Sequence, residues 1–465
     1  MDRQFDLIVV GGGPGGYVAA IRAAQLGFKT ALVEREHLGG VCLNWGCIPT
    51  KALLRGAEVA HTLHNAEAFG FSVDNIRFDI GKLVAHSRSV AGRLTQGIGY
   101  LMKKNAITVI DGEARVSDKC RLTVRKDGVD TEYRADHILL ATGARARDLP
   151  GIAVDGDRVW GAREAMTPEA LPGRLLVIGA GAIGVEFASL YRDLGSEVTL
   201  VEAVDRILPA EDSEISALAD KAFRARGIAI HTGTTVSAVE PSGAGARALL
   251  RGGDGREQAV EVDKVILAVG ITGNIDNLGL EGLGVATERG FIVTDERCRT
   301  NVVGLYAIGD VAGPPWLAHK ASHEGVYCVE RIAGVAGAHP LDKTRIPGCT
   351  YCRPQVASIG LTEEQARKTG RAIRVGRFNL AANGKALAIA DSQGLVKTVF
   401  DDATGELLGA HMIGPEVTEQ IQGFAIARGL EATEAELAGT VFPHPTLSEA
   451  MHESILAALD RAIHQ

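Results

Sequence analysis

The sequence predicts an α/β fold with two Rossmann-like dinucleotide-binding units and a separate C-terminal α+β domain, on three observations. The first is an internal repeat: residues 5–34 and 173–202 superimpose without a gap at an offset of 168. Leu7, Val9, Gly11, Gly13, Gly16, Ala20, Leu26, Gly27, Leu32, Val33 and Glu34 meet identical residues in the second copy. The second is the order within each copy: an apolar strand, G-x-G-x-x-G opening a helix, then another apolar strand (29–33 and 197–201) ending in Glu. The third is a change beyond Pro347, where short alternating strands at 355–359, 395–400 and 407–412 and two helices appear without another nucleotide turn. That mixture reads as an α+β domain.

Each repeat matches the βαβ dinucleotide fingerprint, in which glycines make the tight turn and let the backbone approach a pyrophosphate at the helix N-terminus. Gly11, Gly13 and Gly16 serve the first copy; Gly179, Gly181 and Gly184 serve the second. Glu34 and Glu202 stand where an acid hydrogen-bonds an adenosine ribose. One such glycine run is weak, but two with the same flanking pattern predict two bound dinucleotides. Strand-like runs at 106–110, 121–124 and 137–140 close the first domain near Ala141-Thr142-Gly143, and the run 263–269 ends in Gly270 in the same manner. A third strand-to-glycine segment, Leu305-Tyr306-Ala307-Ile308-Gly309-Asp310, fits a return of the chain to the first domain after an insertion. Domain boundaries are expected at 1–147, 148–274, 275–345 and 346–465.

A chain of 465 residues is too long for one core. Its net charge of -8, without a Lys/Arg run, disfavours nucleic acid as a ligand. The N-terminus lacks the basic start and cleavage site of a signal peptide. No apolar stretch approaches the roughly 20 residues that span a bilayer, so a cytoplasmic protein without membrane contact is expected. Seven cysteines at irregular spacing do not form a secretory disulfide framework. In a reducing compartment a disulfide is more often catalytic than structural.

Directly after the first repeat stands Gly39-Gly40-Val41-Cys42-Leu43-Asn44-Trp45-Gly46-Cys47-Ile48-Pro49-Thr50-Lys51. A disulfide needs α-carbons about 4.4 to 6.8 Å apart. Four intervening residues including Gly46, with a proline after Cys47, permit a turn that brings the sulfurs together. A Cys47 on the first turn of a helix gains thiolate stability from the positive helix end. Iron–sulfur ligation is the competing reading of C-x4-C, but its next cysteine falls at Thr50, and no metal is expected.

This segment resembles the redox signature of the flavoprotein disulfide reductases, the class I pyridine nucleotide-disulfide oxidoreductases, in their dihydrolipoamide-oxidising branch. The resemblance runs over essentially the whole chain. It implies FAD in the first domain, NAD in the second, a central domain completing the FAD site and a C-terminal domain that forms a homodimer. By the same resemblance Cys42 is the interchange thiol that meets lipoamide and Cys47 lies against the flavin. Lys51 stands by the isoalloxazine, paired with Glu186. Glu34 holds the FAD ribose, with Ala114, Thr142 and Gly143 lining that site. Gly309-Asp310-Val311-Ala312-Gly313, followed by Leu317-Ala318-His319-Lys320, resembles the family's second FAD motif, with Asp310 on the ribitol and Ala318 beside it. Lipoyl arms are expected from partner proteins, the acyltransferase of a 2-oxo acid dehydrogenase or a glycine-cleavage carrier, since no lipoyl domain is read before Phe5.

Phe442-Pro443-His444-Pro445-Thr446-Leu447-Ser448-Glu449 leads into a helical run at 450–463. Dithiol oxidation needs a base near neutral pH, which suits histidine, and a carboxylate on its far ring nitrogen would fix the tautomer. Thr446 to Glu449 equally reads as a helix capping box. The resemblance makes His444 and Glu449 the catalytic pair, supplied across the dimer to the other subunit's Cys42 and Cys47.

NAD rather than NADP follows from Glu202, which accepts from a ribose 2'-hydroxyl and repels a 2'-phosphate; Arg206, four residues on, reads as a surface charge. Gly270 closes the same nucleotide site. Cys349 and Cys352 form C-x-x-C, but residues three apart on a strand face opposite ways, and no chemistry is expected there. Cys120, Cys298 and Cys328 read as isolated thiols. Ile271-Thr272-Gly273-Asn274 departs from the Arg-x-Pro-Asn of many relatives, and Arg353 stands where His is common. The alternative function is a glutathione or mercuric reductase type, for which basic residues at Glu202 or a further C-terminal cysteine pair would be expected.

Overall fold

The structure, a computed structural model, describes residues 3–464. They fall into two compact units, one running to Leu53 and then through Gly81–Arg147 and Gly270–Leu341, the other through Leu54–Ile80, Asp148–Val269 and from Asp342 onward.

The first unit is built on a sheet in which Thr108–Asp111, Thr30–Glu34, Gln4–Val10 and Val129–Leu140 lie side by side in that order, continuing through Arg121–Lys126 to Glu113–Asp118. The strand Leu305–Ala307 pairs parallel with Val129–Leu140, so the chain does return to this sheet after the second repeat. Leu7, Ile8, Leu32, Ile138 and Leu139 are fully buried. Their alternation places them on both faces, as a parallel sheet covered on both sides requires. The helix Pro14–Gln25 packs closely on the helix Ala318–Ile332: a Cβ on Gly325 would lie 2.7 Å from the Gly15 carbonyl oxygen. Arg22 pairs with Glu330 at 2.7 Å along the same seam. Strand Ile271–Gly273 pairs with Ala144–Ala146, a return to this unit ahead of residue 274.

The second unit repeats the parallel arrangement with Ala229–His231, Glu197–Val201, Arg174–Ile178, Lys264–Leu267 and Val159–Trp160. It adds an antiparallel three-stranded sheet, 234–262, that the sequence reading missed. From Gly348 onward five antiparallel strands follow the order Gly348–Thr350, Gln355–Gly360, Leu407–Gly414, Leu395–Asp401, Ile373–Asn379. Among the described residues this part holds five α-helices rather than two, because Glu363–Lys368, Gly384–Ala388 and Glu434–Gly439 are too short to show a periodic apolar face. The last helix, Glu449–Ala458, ends before 463; the Ile463 and His464 N–H groups instead donate to the Glu453 carboxylate. No helix among the described residues is long and apolar enough to cross a membrane.

A buried charge cluster ties the second unit together. Lys397 is only 2% exposed and meets Asp212, Glu214 and Glu363 at 2.8, 3.0 and 2.9 Å, while Arg377 clamps the last two carboxylates. Burial works against ionisation of Glu363, but hydrogen bonds from Lys397 and Arg367 prevail and hold its carboxyl at about 2. A carboxyl depressed in the folded state contributes stability that is complete above its unfolded pKa of about 4.3 and is lost as the pH falls towards 2. Lys397→Met removes the buried cation shared by all three carboxylates, leaving Asp212 without its partner, and is expected to cost about 3–5 kcal/mol. The measurement is the urea midpoint at neutral pH, with the acid dependence between pH ~4.5 and ~2 flattened in the variant; an unchanged midpoint excludes a structural role for the cluster.

Candidate functional site

The two glycine turns are congruent in detail. Gly11 has φ +104°, and a Cβ there would stand 2.3 Å from the Ala141 carbonyl oxygen; at Gly16 it would stand 1.8 Å from the Gly11 oxygen. Gly179 repeats this with φ +99° and 2.4 Å to the Ala268 oxygen, and Gly184 with 1.9 Å to the Gly179 oxygen. Only glycine fits these four places. The middle glycines differ: a Cβ on Gly13 meets nothing nearer than 3.9 Å and one on Gly181 nothing within 4 Å. Each is the N-cap of its helix and supplies no side-chain cap. Each turn therefore offers an open helix end of the kind that binds pyrophosphate. Glu34 accepts from the Gly12 N–H at 2.7 Å, and Glu202 from the Ala180 N–H at 2.7 Å, so each acid stands beside its own glycine turn. The Arg206 guanidinium donates to the Pro209 carbonyl at 3.5 Å and its charge acts on Glu364.

Beside the first turn lies a cavity of about 270 Å³, lined among others by Gly11, Glu34, Ala114, Thr142, Arg145 and Asn274. Asn274 belongs to this site: its side-chain amide donates to the Thr142 carbonyl at 2.9 Å and its own carbonyl accepts from the Thr142 hydroxyl at 2.8 Å, and its N–H donates to the Gly143 oxygen. The segment that departs from the Arg-x-Pro-Asn pattern thus lines the cavity beside the first glycine turn. Arg145 joins it through Asp276 at 2.6 Å. Neither arginine nor asparagine was marked by sequence, since their meeting depends on the crossing of 271–273 onto 144–146.

Asp310 lies in the 3₁₀ turn Gly309–Ala312, and Ala318 opens the helix that follows. Fully buried Lys320 donates to the Gly309 and Gly313 carbonyls at 3.0 and 2.7 Å, and Glu324 accepts from the Gly309 N–H at 2.8 Å. This clamp holds the turn from within the helix. Burial pushes the Asp310 carboxyl up, with the Lys320 charge pulling the other way. An acid so placed favours accepting hydrogen bonds from a ligand hydroxyl over standing bare.

The redox segment folds as a short helix, Gly40–Trp45, a break at Gly46, and a long helix that begins at Cys47 and ends at His64. Gly40 has φ +57°, and a Cβ there would lie 2.7 Å from the Gly13 α-carbon, so the segment rests directly against the first nucleotide turn. The redox segment is gripped from the helix Ile80–Lys104: between the cysteines Arg88 stacks over Trp45 at 4.0 Å and donates to the Asn44 carbonyl and Thr95 donates to the Asn44 side chain, and just beyond them Ser87 donates to the Pro49 carbonyl. The two sulfurs are hydrogen-bonded to each other in the dithiol form; that bond, then burial, push the Cys42 thiol well up, and the Lys51 charge opposes the shift. Cys47 stands at the N-terminus of an 18-residue helix, a position that favours a thiolate. Tyr17, half-buried on the first nucleotide helix, lies near enough to Cys42 to be affected by its charge.

His444 is 77% exposed, and its Nδ1 lies 2.8 Å from the Glu449 Oε1. The other oxygen of Glu449 accepts from the Thr446 N–H at 2.9 Å. The capping box is only half made: Glu449 is the first residue of its helix rather than the third, the N-cap is Ser448, and the Thr446 hydroxyl donates to the Pro443 carbonyl instead of accepting from Glu449. Partial burial works against it, but the Thr446 N–H and the His444 ring keep the Glu449 carboxyl below its usual range. Glu186, in the helix Ala182–Asp193, accepts from the Tyr351 N–H at 2.9 Å, and Gly270, with φ +110°, accepts from the Arg147 N–H at 3.0 Å. The Cys349 sulfur faces the Thr418 carbonyl and that of Cys352 the Pro354 carbonyl, so the C-x-x-C sulfurs serve separate partners. Cys298 and Cys328 are not isolated: their side chains are hydrogen-bonded to each other. Thirty residues separate them in sequence, and no local pattern announces the contact.

Comparison with known proteins agrees with this geometry. Residues 5–325 match the model of the pyridine nucleotide-disulphide oxidoreductases, and residues 346–455 that of their dimerisation domain. A dihydrolipoyl dehydrogenase of Rhizobium etli is 54% identical with all of both chains covered. One of Zymomonas mobilis is 54% identical, also over all of both chains. The mitochondrial enzyme of Pisum sativum is 40% identical over 99% of this chain and 92% of its own. Among solved structures, LpdA of Mycobacterium tuberculosis superimposes with a TM-score of 0.90 at 29% identity, covering 97% of this chain and 98% of that one.

Proposed function

Because the chain belongs to the pyridine nucleotide-disulphide oxidoreductase family, we propose that it catalyses the dihydrolipoyl dehydrogenase reaction, oxidising dihydrolipoamide and reducing NAD. The observation that carries this reading is the hydrogen-bonded Cys42–Cys47 pair seated against the first of two matching dinucleotide turns.

FAD fits the first turn, with Glu34, Thr142, Gly143, Asn274 and the clamped Asp310 as its holders, and NAD fits the second, with Gly181 and Glu202. FAD, when bound, supplies the two-electron relay from the dithiol to NAD. In the oxidised protein Cys42 and Cys47 share a disulfide. One thiolate of the substrate attacks the Cys42 sulfur, the Cys42–Cys47 bond breaks, and Cys47 leaves as a thiolate held by the helix N-terminus. The second substrate thiol then attacks the substrate sulfur of the mixed disulfide, closing the lipoamide ring and releasing Cys42. His444 of the partner subunit takes the proton from the attacking thiol, with the partner's Glu449 fixing the ring through Nδ1. Protein-bound lipoyl arms of 2-oxo acid dehydrogenase or glycine-cleavage assemblies are the substrates this reading implies, and the homodimer is the active form.

The test is steady-state formation of NADH from dihydrolipoamide, run beside NADPH-dependent reduction of oxidised glutathione. Turnover in the first with none in the second is expected; the reverse would replace this reading with the glutathione reductase type. Glu202→Ala is expected to weaken NAD and narrow its advantage over NADP by roughly tenfold, as the loss of about 1.5 kcal/mol of charge-assisted hydrogen bonding implies. An unchanged preference in kcat/KM would assign coenzyme choice to another residue.

A further inference from the structure

A second pair of thiols lies in the first unit, apart from the redox segment. Cys328 is fully buried in the helix Ala318–Ile332, and Cys298 is 7% exposed in a turn just before the strand Leu305–Ala307. Both belong to the same apolar core, where their side chains are hydrogen-bonded to each other. The turn around Cys298 is firmly held. The Asp295 carboxylate accepts from the Arg297 and Arg299 N–H groups at 2.8 and 2.9 Å. The Cys298 N–H donates to the Asp295 carbonyl and the Cys298 carbonyl accepts from the Ala307 N–H, both at 3.0 Å. Cys298 itself has φ +59°, a left-handed conformation uncommon for any residue but glycine or asparagine. On the other side, the helix bearing Cys328 is seated on the first nucleotide helix through Gly15 and Gly325. Two sulfurs are thus held in contact by backbone fixed on both sides.

The stretch they enclose is informative. Residues 298 to 328 contain the Gly309–Ala312 turn with Asp310, the start of the following helix at Ala318, and the Lys320–Glu324 clamp. We propose that Cys298 and Cys328 form a second, non-catalytic disulfide on exposure to a hydroperoxide, and that this bond staples the segment holding FAD. The second half rests on the assignment of FAD to this unit; the first half does not.

The chemistry balances with hydrogen peroxide as oxidant. Cys298, the more accessible thiol, is oxidised to a sulfenic acid as the O–O bond breaks and one water leaves. The Cys328 thiol then attacks that sulfur, displacing the hydroxyl as a second water. One S–S bond replaces two S–H bonds, and the peroxide takes up the two electrons. The bond to Cys298 and full burial hold the Cys328 thiol far above its ordinary range, so little thiolate is present to attack and the resolving step is slow. Closing a loop of about 30 residues removes conformational freedom from any state in which the segment opens, so FAD release is the process it should retard.

The experiment uses the purified FAD-loaded protein with its Cys42–Cys47 pair in the disulfide form. The protein is incubated with excess hydrogen peroxide, quenched with catalase, unfolded, alkylated and peptide-mapped. A reducible cross-linked peptide joining the Cys298 and Cys328 segments is expected, together with a rise of a few degrees in the temperature of flavin release followed by fluorescence. Cys298→Ala and Cys328→Ser proteins treated alike should show neither change. Full alkylation of both thiols, or over-oxidation of Cys298 without a cross-link, overturns the proposal. A cross-link without a shift in flavin release overturns the staple. A protein that forms the cross-link yet takes up no flavin refutes the FAD assignment and leaves the disulfide standing.

Discussion

Cys42→Ser and Cys47→Ser are each expected to lower dihydrolipoamide oxidation by roughly 10⁴ to 10⁶, the scale of removing a covalent nucleophile that acts as part of a unit. Either change leaves no disulfide for the substrate thiol to attack, so the loss falls on kcat and kcat/KM together. Flavin binding should survive, because the FAD holders Glu34, Asn274 and Asp310 do not depend on either sulfur. The two variants should also differ from each other. With Cys47 alone at the N-terminus of its helix, a low-pKa thiolate is expected; with Cys42 alone, that stabilisation is missing. Alkylation by iodoacetamide across pH reads this directly, the Cys42→Ser protein reacting at lower pH than the Cys47→Ser protein. Near-wild-type turnover in either variant would remove the disulfide from the mechanism. Reversed alkylation profiles would reverse the assignment of leaving and interchange thiols.

The second large effect concerns His444. If it takes the thiol proton, His444→Gln is expected to reduce lipoamide turnover by about 10² to 10⁴, while electron transfer from NADH to an artificial acceptor, which bypasses that proton, stays close to wild type. Glu449 makes the comparison sharper, because its two oxygens have separate tasks. In Glu449→Gln the side-chain oxygen can still accept from the Thr446 N–H, so the turn leading into the helix is kept while the charge facing the imidazole is lost. A fall in turnover without a fall in thermal stability assigns Glu449 to positioning the base; a fall in stability with turnover intact assigns it to bracing the turn at Thr446. Mixing Cys42→Ser and His444→Gln chains then tests whether the site is shared. Each heterodimer has one site with both wild-type residues, so about half of wild-type activity per dimer should return. If subunit exchange is demonstrated and nothing returns, the base does not act across the dimer.

The division between sequence and structure follows the range of the interactions. Gly11 and Gly16, with their counterparts Gly179 and Gly184, were legible because each is demanded by its own turn: left-handed backbone or contact with a carbonyl a few residues away excludes every other side chain. Strand and helix periodicity, the C-x4-C spacing and the proximity of His444 to Glu449 are equally local. Short elements escaped for the converse reason, since a helix of five or six residues such as Gly384–Ala388 shows too little of its apolar face to read. What tertiary structure alone decided are meetings between distant segments. Arg88 on Trp45, Asn274 carried across to Thr142, Lys397 among three carboxylates and Cys298 beside Cys328 all depend on loop closure and core packing. The one-dimensional pattern records which side chains are apolar or charged, whereas partners dozens of residues apart are selected by which buried groups must be satisfied once the sheets have stacked.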